Sequence, residues 1–108
     1  MGGLYQVTTA VDSRDEGSRI ARVLVERRLA ACVQVLGPIE STYWWKGAVE
    51  TASEWLCVAK TSDDQVDAVM SAIAAEHSYE VPEIVVVAAD RVNDPYRRWV
   101  QDEVGERR

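Results

Sequence analysis

One histidine, His77, and two cysteines, Cys32 and Cys57, supply all the imidazole and thiol of this chain. Imidazole and thiolate suit copper or zinc, which makes His77 and Cys32 the candidate metal ligands. A structural reading stands beside that one. Cys32 sits in an apolar run, where a thiol packs as a small apolar side chain. His77 follows a helical face, where it would cap or pack, and a helix C-terminus favours the protonated ring that metals reject. No CxxC or HxxxH spacing raises the metal reading. Tyr79-Glu80-Val81-Pro82-Glu83 sets a phenol and two carboxylates about a rigid proline. Turn formation explains Pro82 but not its polar neighbours, so Tyr79, Glu80 and Glu83 are candidates for a ligand cleft on a scaffolded loop. Lys60 would give that cleft an opposing charge, or cap the helix after it. Tyr43, Trp44, Trp45 and Trp55 read as subunit-interface residues, because aromatics are enriched there. No catalytic residue emerges: there is no serine in a nucleophile elbow and no glycine-rich phosphate loop after the first strand.

Composition narrows the partners. The chain has 108 residues, nearly half of them apolar, which suits one domain over 1–108 with its own core. A formal charge of −6 opposes a nucleic-acid partner. No apolar run reaches the roughly 18 residues of a membrane span, so no membrane partner is expected. Met1-Gly2-Gly3-Leu4 lacks the basic start and apolar run of a secretion signal, and the expected location is cytoplasmic.

These side chains must be positioned by a short list of elements. Leu4 to Ala10 is rich in strand formers, and Ser13-x-x-Glu16 has the pattern of a capping box opening a helix to about Leu29. Ala30 to Trp45 and Ala48 to Lys60 form a long hairpin turned by Lys46-Gly47. An arm of that length spans roughly 50 Å, against about 22 Å for a fifteen-residue helix, so its tip overhangs. With residue numbers on opposed strands summing to 93, Cys32 faces Thr61 and Cys57 faces Leu36, about 13 Å apart and too far for a disulfide. A bulge at Gly37-Pro38 shifts that count by about one residue. Ser62-x-x-Gln65 opens a second helix bearing Val66, Val69, Met70, Ile73 and Ala74 on one face. Glu83 to Ala89 is a strand apolar enough to be buried on both faces. Asp94 as N-cap and Pro95 at the first helical position start a last helix that Gly105 closes.

The order βαββαβ plus a C-terminal helix is the α+β, ferredoxin-like pattern, with the first and third strands central. The long second strand then lies on an edge with Glu40 as its one charge, a hazard unless it pairs with something specific. That argues for a homo-oligomer.

The ordered set Leu29-Ala30-Ala31-Cys32-Val33, Ser41-x-Tyr43-x-Trp45-x-Gly47, Glu54 with Leu56, Lys60-Thr61, His77-x-Tyr79-Glu80-Val81-Pro82-Glu83-Ile84 and Tyr96-x-x-Trp99 resembles the CutA divalent-cation tolerance proteins. The resemblance implies a homotrimer, architecturally similar to PII signalling proteins, whose long hairpins pair between subunits. It also implies a role in tolerance of divalent metal ions, copper among them. Members with a fuller ligand set carry a cysteine where Thr8 stands and a histidine where Glu76 stands; this chain keeps His77. The PII-like alternative is a small-molecule effector bound in the subunit cleft, and a third reading is a purely structural trimeric scaffold.

Overall fold

Alternating apolar residues and two breaks in the helix pattern set the architecture. In the computed structural model, which describes residues 3–105, the order is β1 (Leu4–Val11), α1 (Arg14–Glu26), β2 (Cys32–Trp45), β3 (Ala48–Ser62), α2 (Val66–Glu76), β4 (Val85–Ala88) and α3 (Asp94–Glu103). The antiparallel sheet has the order β2-β3-β1-β4, with β1 and β3 central. The fold is the ferredoxin-like α+β type with an added C-terminal helix.

Residues paired across the sheet share a face. Val7, Thr9 and Val11 therefore lie beside Ala59, Cys57 and Trp55. Ile20 and Leu24 of α1 and Val69 and Ile73 of α2 close over this face, making the core. Gly17 lets α1 approach closely: a Cβ there would stand 3.1 Å from Val35 and 3.2 Å from the Cys57 sulfur. The opposite face carries Gln6, Leu36, Val85 and Val87. On that side α3 buries Val100 and sets Tyr96 near Cys32.

Several boundaries differ from the sequence expectation. Helix α1 ends at Glu26 rather than Leu29, because Arg28 adopts a left-handed φ of 62° and the amides of Leu29 and Ala30 return to the Leu24 carbonyl. The Arg28 guanidinium holds the end of α3 through the Glu103 carboxylate and carbonyl. The segment after β3 opens as a 3₁₀ turn, Asp63–Gln65, and Ser62 bonds Asp64 instead of capping a helix. Asn93, not Asp94, is the N-cap of α3, which moves Pro95 to the second helical position. Strand β4 is shorter than Glu83–Ala89, and it is not buried on both faces: Val85 and Val87 are about half exposed.

The hairpin is longer than the sheet that supports it. Its turn places Lys46 and Gly47 at φ 51° and 83°, the two left-handed residues of a type I′ connection. Strand β1 pairs with β3 only from Ser62 to Trp55, so everything beyond Trp55 stands clear of the central strand. At the base of this overhang, Gly37 and Pro38 oppose the single residue Trp55, a bulge that moves the register sum from 93 at the tip to 92 below it. Cys32 consequently faces Lys60, not Thr61, and Cys57 faces Val35, not Leu36. The sulfurs are three positions apart, and both thiols are free. Gly37 has φ 153°, and a Cβ on it would stand 2.8 Å from the Trp55 ring and 3.1 Å from the Glu54 carbonyl. Gly37→Ala is therefore expected to cost about 1–3 kcal/mol through strain and overpacking. Urea denaturation at fixed protein concentration measures it, with Gly47→Ala, which meets no atom within 4 Å, reporting the effect of backbone strain without the clash.

Candidate functional site

Two buried carboxylates and one imidazole organise the segment after α2. The side chain of His77, the C-cap of α2, has no solvent exposure. Its Nε2 lies 2.9 Å from the Thr9 hydroxyl and 3.0 Å from the Ala10 carbonyl, and its Nδ1 accepts the Tyr79 amide at 3.2 Å. A carbonyl at Nε2 and an amide at Nδ1 together call for the neutral Nε2–H tautomer. Both nitrogens are committed, which leaves no lone pair for a metal.

Glu16 was read from the sequence as the second half of a capping box. Ser13 does cap, its hydroxyl accepting the Glu16 amide at 3.1 Å. The Glu16 carboxylate instead crosses to the segment after α2, where the Ser78 amide and hydroxyl each donate to it at 2.9 Å. Burial alone would raise its pKa, but the two Ser78 bonds and a backbone bond at Asp12 outweigh burial and lower it.

Tyr79 then points toward the overhanging hairpin and donates its hydroxyl to Glu54 at 2.7 Å. Glu54 is 7% exposed. Burial, followed by the bond to Glu54 and nearby negative charge, raises the Tyr79 pKa far above that of an ordinary phenol. The phenol keeps its proton at neutral pH.

This bond closes the floor of a cleft of about 800 Å³ between the hairpin and the segment 78–83. Tyr43, Trp45 and Glu50 contribute from the hairpin, and Tyr79, Glu80 and Glu83 from the loop. Tyr43 and Trp45 alternate with Trp44, so by strand period they share a ribbon face with Glu50 and Glu54. Trp44 and its cross-strand partner Val49 project mainly from the other face, 74% and 58% exposed. The Lys46 ammonium stands 5.5 Å from the centre of the Trp45 ring.

The expected residues are thus only partly assembled. Tyr79, Glu80 and Glu83 share the cleft with Tyr43, Trp44 and Trp45, within a single chain. Lys60 is not there: it is buried six residues along β3 from Glu54, about 20 Å away, and donates to Gln34 at 2.7 Å. Trp55 lies below the tip, packed on Gly37 and the core with the Arg14 guanidinium over its ring at 5.9 Å. Cys32 and His77 lie on opposite faces of the sheet and cannot share an ion. Glu76 is held by Arg19. Among the described residues, no three His, Cys, Asp or Glu side chains are grouped to hold a metal. The residues of one chain therefore do not fit a His/Cys copper centre. Sequence reasoning did not place Glu16 or Glu54 in the site: Glu16 reads as a helix cap and Glu54 only as part of the family resemblance. The one available signal was strand alternation, which puts Glu54 in line with Tyr43 and Trp45.

A ferredoxin-like sheet with an overlong hairpin and an acidic, aromatic cleft beside it defines a class that comparison with known proteins makes specific. Residues 5–103 match the family model described as CutA1 divalent ion tolerance protein. The chain belongs to this family. It is 36% identical over 92 residues to the divalent-cation tolerance protein CutA of Archaeoglobus fulgidus, covering 85% of this chain and 89% of that one. It is 45% identical over 87 residues to the CutA homologue of Xenopus laevis, covering 81% of this chain and 58% of that protein. The chain spans a little over half the length of that relative and of the chloroplastic rice CutA 1, of which it covers 56%. Among solved structures, CutA of Xylella fastidiosa superposes with a TM-score of 0.92 at 33% identity, covering 95% of this chain and 99% of that one. The expected cytoplasmic location is corrected by these relatives. A solved Archaeoglobus fulgidus structure, 32% identical with a TM-score of 0.91 over 94% of this chain and 99% of that one, is described as periplasmic, and the rice relative as chloroplastic.

Because the folded Glu16 carboxyl lies below its ordinary value, its contribution to stability is present at neutral pH and is lost as pH falls through the folded pKa. Glu16→Gln is expected to lose about 1–3 kcal/mol at pH 7. Urea denaturation across pH should show that gap narrowing in acid, where the wild-type carboxyl also becomes neutral; a gap constant with pH would count against the assignment.

Proposed function

We propose that this chain works as a homotrimer in tolerance of divalent cations, and that cations are drawn to the cleft between the hairpin and the segment 78–83. One observation carries the reading: Glu50, Glu54, Glu80 and Glu83 line the cleft, and no Lys, Arg or His does. A wall of one charge sign raises the local concentration of counter-ions. The same charge disfavours the PII-like alternative of an anionic effector, as does the distance of Lys60. Oxygen donors of this kind suit harder ions better than the thiolate and imidazole expected for copper. Membership in a divalent-ion tolerance family supports the biological setting. Leu36, Val85 and Val87 on the open sheet face, with Trp44 and Val49 on the outer face of the tip, offer the apolar contacts that copies would bury. The role is binding rather than catalysis: His77 is sealed and Tyr79 holds its proton.

Equilibrium dialysis of the protein against Mn(II), Zn(II) and Cu(II) tests the cation reading. The expected result is binding that Glu80→Gln/Glu83→Gln weakens and Cys32→Ser, on the other face of the sheet, leaves unchanged. Loss of binding in folded Cys32→Ser would return the metal to the thiolate. Light scattering should give three times the 12.1 kDa chain mass; a monomer would overturn the assembly.

A further inference from the structure

We infer that the cleft is a binding site for an extended organic cation bearing more than one ammonium group, of the linear polyamine class. The inference rests on the cation-attracting character proposed above and goes beyond it in naming the ligand chemistry. The volume of about 800 Å³ suits a small organic molecule and far exceeds one ion with its ligands. The carboxylates are spread around it, with Glu50 on the hairpin, Glu54 at the floor and Glu80 and Glu83 on the loop. Dispersed carboxylates draw in a hydrated ion without replacing its water shell, and no metal-holding group of three is found among the described residues. The same dispersion matches ammonium groups separated by methylene chains.

The walls between the carboxylates are aromatic. Tyr43 and Trp45 share the ribbon face that bears Glu50 and Glu54. An aromatic face attracts an ammonium within about 6 Å of its centroid, and its ring packs against methylenes. Trp45 already shows this affinity, since the chain's own Lys46 ammonium stands 5.5 Å from its ring centre. Glu54 is a nearly buried carboxylate that spends one oxygen on the Tyr79 hydroxyl. An anionic acceptor is thereby fixed at the deep end of an aromatic slot.

Isothermal titration of the intact protein with spermidine tests this, with 1,8-octanediol as the uncharged probe and Mn(II) as the inorganic one. Spermidine is expected to bind at one site per chain and octanediol not at all. Trp45→Ala, whose parent side chain is 37% exposed and so dispensable to the core, keeps every charge. It should weaken spermidine roughly tenfold while leaving Mn(II) binding unaltered. Glu80→Gln/Glu83→Gln should weaken both. Equal spermidine affinity in wild type and Trp45→Ala would reveal only diffuse attraction to an acidic protein and overturn the organic-cation site. Mn(II) binding without spermidine binding would overturn it too, leaving the cleft to metal ions. Binding of neither would remove both readings.

Discussion

The hydrogen bond from the Tyr79 hydroxyl to the Glu54 carboxylate is the contact on which the site depends. A two-stranded ribbon projecting past its sheet has little to hold it in place. Here the loop after α2 reaches the ribbon where it leaves β1 and fixes it through a partly buried, charge-assisted bond, a stronger kind than a neutral one. The loop is itself anchored twice: His77 locks to β1 through Thr9 and Ala10, and Ser78 locks to α1 through Glu16. Helix, central strand, loop and hairpin are therefore one chain of polar contacts, and the cleft is the space that chain encloses.

This arrangement explains why His77 is a poor metal ligand although it is the only imidazole. A histidine serves a metal when one nitrogen is free and the other is oriented by a partner. In this chain the Nδ1 lone pair is taken by the Tyr79 amide. Releasing it would also release the backbone that aims Tyr79 at Glu54. Ser78 makes the point from the other side. Ser78 supplies an amide and a hydroxyl to Glu16, which gives a buried carboxylate two donors. The position joins α1 to the loop rather than assembling a metal centre.

Much of the fold was legible because period and turn chemistry are local. Lys46-Gly47 announces its own turn, β-branched runs announce strands, and Val66 through Ile73 mark a helical face. The errors fell where a distant contact overrode a local rule. Arg28 takes a left-handed conformation and ends α1 early, and its side chain and carbonyl are both bonded to the end of α3. Ser13-x-x-Glu16 looked like a complete capping box, yet the glutamate found better donors 62 residues away. The site was less legible for the same reason. Tyr79, Glu80 and Glu83 were found from their loop, but their partners come from a hairpin whose approach no local pattern records. Lys60 suits them by charge, but the register puts it near the other end of the strand.

Charge in the cleft then has a structural origin as well as a chemical use. Glu54 tolerates burial because Tyr79 supplies a proton donor that burial itself keeps protonated. Removing the phenol would leave a carboxylate with little water and no donor, a costly state. The remaining acids, Glu50, Glu80 and Glu83, are exposed and pay no such penalty. They repel one another weakly across water, and a bound cation would relieve that repulsion. The cleft is thus stable when empty, because its buried charge is satisfied internally. It still favours a positive guest, because its exposed charges are not. A rigid acidic floor beneath an acidic rim is the combination that the proposed cation binding would use, since it asks nothing of the cation in folding.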